Sequence, residues 1–183
     1  MAYTIINAES GIFPIASTDA GFIPPGNVNT GSTTAVPSPP ASLGKIVRAV
    51  DPTYGEGEFI CLAGVASTAV GSVVTYNTTS YTTTLSAVGG SVPGPVAIAM
   101  SANTSASTYG WYQVSGVAVV KKQCTVSLAA GAAVGVLSTG LIAGTASGKE
   151  IEGAIVAAVA SATAGRTTVS VLIARPVKQG RIT

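Results

Sequence analysis

The sequence predicts an all-β protein, a compact antiparallel β-sandwich or small β-barrel with a long extended Pro/Gly-rich N-terminal arm. Three observations predict it. From Leu43 onward, short β-branched and aromatic runs recur about every 8–15 residues between turn-forming segments. Six of the ten prolines (Pro14, Pro24, Pro25, Pro37, Pro39 and Pro40) lie before that point. Charged residues make up only 9% of the 183 residues, against roughly 25% in an ordinary soluble domain.

Residues 1–44 form the arm and linker. Proline removes backbone donors and fixes φ, so neither a helix nor a central strand survives this density of Pro and Gly. The segment holds two charges, Glu9 and Asp19, and several separated large apolar residues. Ile5, Ile6, Ile12, Phe13, Phe22 and Ile23 come as three adjacent pairs, a spacing that suits an extended arm filling successive pockets on a partner. Asn27–Ser42 is the most linker-like part.

Residues 45–183 form the β-rich domain, with strands expected at Lys45–Val50, Glu58–Leu62, Ser72–Tyr76, Val96–Met100, Trp111–Val120, Thr125–Leu128, Ala133–Leu137, Ile151–Val159 and Thr167–Ala174. DPTYGEG, NTTSYTTT, VGGSVPGP and SATAGR read as turns between them. Alternation is clearest in WYQVSGVAVV and TTVSVLIA, and a two-residue period is that of a strand with one face buried. Ser127–Ala133 and GAIVAAVASATAG have enough alanine to be helical. Glycine and β-branched neighbours favour strand for the second.

The composition excludes several classes of function. A net charge of +2 with one Lys-Lys pair, Lys121-Lys122, cannot neutralise many phosphates, so nucleic acid is not expected as a partner. The mean hydropathy is +0.53, yet the longest apolar runs, Leu128–Leu137 and Gly153–Ala160, fall far short of the ~20 residues that span a bilayer. No membrane partner is expected. The N-terminus lacks a charged region before an apolar one, so the chain is expected to remain where it is made.

Chemistry is equally bounded. There is no histidine, no phosphate-binding glycine loop and no calcium loop. Glu56/Glu58 and Glu150/Glu152 are spaced i, i+2; the bland reading, solvated charges at strand ends, outweighs a glycosidase pair. Cys61 and Cys124 match no metal or disulfide spacing and read as buried reduced thiols. Tyr109, Trp111 and Tyr112 are the one aromatic cluster that could serve a carbohydrate-binding module, but alternation splits them between two faces. No catalytic residue, metal site or cofactor is expected.

IVRAVDPTYGEGEFICL (46–62), PVAIAMSAN (95–103), YGWYQVSGVA (109–118) and VLIARP (171–176) resemble the head decoration, or capsid cement, proteins of tailed bacteriophages. The resemblance covers most of 46–176 and leaves the arm out. It implies a small, β-rich, catalytically inert protein, made in the host cytoplasm and bound outside the icosahedral head. Its partners would be the major capsid protein and further copies of itself, a trimer being favoured. The chain's 62 consecutive uncharged residues, Phe59–Val120, fit a subunit packed in an assembly. Another virion component, such as a head fibre or tail-associated protein, is the alternative, with the carbohydrate-binding module behind it.

Overall fold

The computed structural model describes residues 4–5, 41–88, 93–103, 105–106, 108–123, 127–160 and 167–180. Among them there is no helix, and eleven strands follow one another: β1 (Thr4–Ile5), β2 (Ile46–Asp51), β3 (Gly55–Ala63), β4 (Val73–Tyr76), β5 (Thr83–Leu85), β6 (Gly94–Ala99), β7 (Tyr109–Lys121), β8 (Ala133–Ser138), β9 (Leu141–Gly144), β10 (Glu150–Val156) and β11 (Thr168–Lys178). The protein is all-β. Every pairing between these strands is antiparallel.

The ladder closes on itself twice. From β3 it runs through β7, β6 and β4 to β5, and returns where Ala63 bridges Thr82 and accepts from Thr83 Oγ1 at 2.7 Å. From β7 it also runs through β11, β10 and β8 to β9, and returns where Lys122 bridges Ile142. The thirteen-residue β7 belongs to both rings: Tyr109–Ser115 pair with β3, and Ser115–Lys121 pair with β11.

Each ring has its own apolar interior, and β4 and β6 form the wall between the two. Val73, Val96 and Ile98 face a core shared with Val136, Ile151 and Val171. Their neighbours Val74, Ala97 and Ala99 face a second core with Leu62, Tyr112 and Val114. A strand buried on both faces needs a continuous apolar run instead of alternation, which is what VAIA supplies. Each fully buried Val or Ile contributes about 1.5–3 kcal/mol.

Most expected strands are present, with shifted ends. β5 begins within the expected NTTSYTTT turn, and β9 is not among the expected strands. TTL in β5 follows the Asn77 turn, where Asn77 Oδ1 accepts from Thr79 and Ser80, and the surrounding threonines hid the strand start. GVLSTGLIAG is the β8–β9 hairpin, turning at Gly140 with φ 71°. Thr125–Leu128 contributes an isolated bridge, Leu128 to Ala160, its first two residues lying outside the described set. GAIVAAVA is strand β10 to Val156.

The last strand continues through Pro176. Arg175 takes φ 44° and the register with β10 shifts between Glu152 and Ala154, so proline occupies an irregular position that asks for no ladder donor. Beyond it, Val177 and Lys178 turn to pair with Pro95 and Gly94 of β6.

Candidate functional site

Among the described residues, the groups singled out for chemistry lie in separate contacts. Glu58 Oε2 accepts from Arg175 Nε at 3.2 Å and Nη2 at 3.1 Å, and Glu56 pairs with Arg48. Both glutamates of β3 are thus in ion pairs, one with β2 and one with β11. Thr145 Oγ1 donates to Glu150 Oε2 at 3.5 Å, and Glu152 is exposed. Among the described residues, no three His, Cys, Asp or Glu side chains gather where a metal could bind.

The aromatic cluster is split as alternation requires. Trp111 lies in a cluster with Val47, Ala49, Phe59, Cys61 and Met100, on the outer face of β3 and β7. Tyr112 points the opposite way into the first ring, where its hydroxyl accepts from Asn103 Nδ2 at 2.8 Å. Both side chains are almost wholly buried, at 1% and 0% exposure, so they offer no flat platform for a sugar.

Cys61 is a free, buried thiol whose Sγ donates to Ala41 O at 3.6 Å. Burial pushes it up to about 11, leaving almost no thiolate near neutral pH. Cys124 lies outside the described residues. Lys178 is buried where its Nζ donates to Ala87 O at 2.6 Å, and desolvation lowers its pKa.

The fold does present an exposed apolar row. The outward side chains of the second ring fall in register across four strands: Val117 of β7 opposite Leu172 of β11, Leu172 opposite Ile155 of β10, and Ile155 opposite Ala133 of β8. Leu172 and Ile155 are each 44% exposed. Val159, 70% exposed, borders a hollow beside this row with Val119 and Tyr54. None of these residues is charged. Sequence reasoning placed them on strands but missed the row, because register between strands distant in sequence is not written in any one of them.

The second feature is the β2 edge. β3 covers one side of β2 along its whole length, and among the described residues β1 pairs with the other side at Ala49 and Val50. Ile5, one of the six arm candidates, is therefore placed, through its backbone, opposite Ala49. Ile6, Ile12, Phe13, Phe22 and Ile23 lie outside the described residues. No helix among the described residues is long and apolar enough to cross a membrane. Compared with known proteins, the chain matches no family model, no curated protein and no solved structure.

Proposed function

We propose that the chain is a structural decoration protein, a cement, of a tailed-phage head. It binds the major capsid protein from outside and acts as a homo-oligomer, with a trimer favoured. The observation that carries this reading is the uncharged row Val117–Leu172–Ile155–Ala133, on a β domain whose Glu56 and Glu58 are held in ion pairs and whose Cys61 is buried. A row of this kind costs free energy in water and gains it against another protein surface. The strand β1 supports the same reading. It shows that the arm's backbone can add to a sheet edge, the mode in which main-chain hydrogen bonds give affinity and alternate side chains give specificity. Such binding across seams between shell subunits resists the outward pressure of packaged DNA.

The test is to mix the purified protein with expanded heads that lack it, from the phage that encodes it. Saturable co-sedimentation, density on the outer surface and slower DNA loss on heating are expected. Heads whose sedimentation and heat release are unchanged at saturating protein would overturn the reading.

A second prediction concerns the apolar row. Ile155→Glu with Leu172→Glu changes two exposed side chains on the outer face, so the monomer fold is expected to keep its melting temperature within a few degrees. Either the trimer dissociates in sedimentation, or head binding falls, because two charges are then buried without partners. Retention of both would remove the row from the interface.

A further inference from the structure

The uncharged row is the middle of a longer face. Val120, Val169, Val171, Ile151 and Val156 fill the second ring's core, so their neighbours along β7, β11 and β10 turn outward. At one end of that outer face Lys121 pairs with Thr168, in the middle Leu172 lies between Val117 and Ile155, and at the other end Glu152 pairs with Val177. Leu172, Ile155 and Val177 are all exposed in the folded chain.

The charges at the two ends have opposite signs. Because Lys121 stands opposite Thr168 and Glu152 opposite Val177, Leu172 lies midway between them along β11. A half-turn about an axis that crosses β11 at Leu172 lays the Lys121 end of one copy on the Glu152 end of another, and does so twice, while the apolar row meets itself at the centre. The neighbouring charges are already engaged: Arg175 donates to Glu58, and Glu150 accepts from Thr145. A face with charge of one sign at both ends would repel its own copy, whereas this one is complementary to itself.

We infer that this face is a self-association site, in which two copies pack through β7, β11 and β10 about a twofold axis at Leu172, with Lys121 of each copy against Glu152 of the other. Thr168 to Val177 spans about 30 Å, and the four strands of the row about 19 Å, at ordinary strand dimensions. Two such faces bury on the order of 1,100 Å², at the lower end for a specific contact, so the pairing is weak and depends on concentration. A contact of this symmetry closes on one partner, and the threefold contact proposed above must use another surface. The inference takes from that proposal only that the row is an interface, and it commits the row to a second copy.

Sedimentation of the purified chain without heads tests it. The sedimenting mass is expected to double as the protein is raised through micromolar concentrations. Lys121→Glu and Glu152→Lys are each expected to weaken this association about tenfold or more, because each sets two like-charged pairs across the axis. Lys121→Glu combined with Glu152→Lys is expected to regain it, as is an equimolar mixture of the two single variants. A second measurement reads the symmetry. In a chain with Cys124→Ser, Leu172→Cys is expected to be joined to its counterpart in the other copy by a bis-maleimide of about 10 Å, the spacing of packed sheets. A mass independent of concentration, single variants that associate like the parent, a double variant no better than the singles, or association without the 172–172 crosslink would each overturn the inference. Head binding is scored separately: a chain that binds heads but never pairs sinks this inference and leaves the decoration reading intact, and a chain that pairs but ignores heads does the reverse.

Discussion

Replacing Gly116 by valine is expected to unfold the domain. Gly116 lies where β7 passes from one ring to the other, next to Ser115, which pairs with Glu58 at a register shift in β3 and with Ala174 of β11. Its φ is +95°, a region that side-chain-bearing residues avoid. A Cβ there would sit 2.4 Å from the main-chain oxygen of Glu56 and 3.0 Å from the Cα of Gly57. Both obstacles are backbone of β3, which is held by β2 on its other side, so neither can swing away. The backbone conformation alone costs about 1–3 kcal/mol, and the overlap raises the total above about 4 kcal/mol. That is a large part of the 5–15 kcal/mol that holds a typical domain together. Gly55→Ala is the control, because Gly55 has φ +75° but open space around its Cβ position. It is expected to lose about 1 kcal/mol from strain alone. Urea unfolding of the two variants checks this, and a Gly116→Val midpoint close to that of Gly55→Ala would mean that β7 can cross between rings without this bend.

The second large effect is loss of stability in alkali. Burial pushes Tyr112 up to about 12 and Cys61 up to about 11, from ordinary values of 10 and 9. For both groups the folded pKa is raised, so their stabilising contribution is complete below the unfolded pKa. It declines as pH rises toward the folded pKa, because the unfolded chain ionises first. Stability is therefore expected to fall between pH 9 and 11 through Cys61 and between pH 10 and 12 through Tyr112. At about 1.4 kcal/mol per pH unit for each group, the total is on the order of 5 kcal/mol by pH 12. Lys178 works in the opposite sense. Its pKa is lowered in the fold, so stability rises as the buried ammonium loses its proton while the unfolded lysine keeps it, up to about pH 10.5. Urea midpoints from pH 8 to 12 check the sum. Cys61→Ala should remove the phase that begins near pH 9, and a flat profile in the parent chain would contradict the burial of both groups.

The sequence by itself determined the fold class. Two-residue alternation in WYQVSGVAVV and TTVSVLIA requires strands, and it fixes which side chains share a face, so Trp111 and Tyr112 were bound to part. The lack of histidine is likewise legible in the sequence alone and excludes imidazole chemistry. The pairs Ile5-Ile6, Ile12-Phe13 and Phe22-Ile23 could be picked out as anchors, but their receptor could not, because an apolar pair in an extended segment states what it needs to bury and not where. Short strands escaped for a related reason: three residues of β5 and four of β9 are fewer than one convincing period.

Only the tertiary structure decided what each face meets. Local alternation cannot say that β4 and β6 separate two cores, that β7 serves both rings, or that Leu172 and Ile155 line up in one exposed row. Nor could it say that Thr4–Ile5, beyond the proline-rich segment, would pair with β2. Strand partners distant in sequence are chosen by closure of the whole ladder and by burial of both faces at once, and those are properties of the assembled sheet and of no single strand.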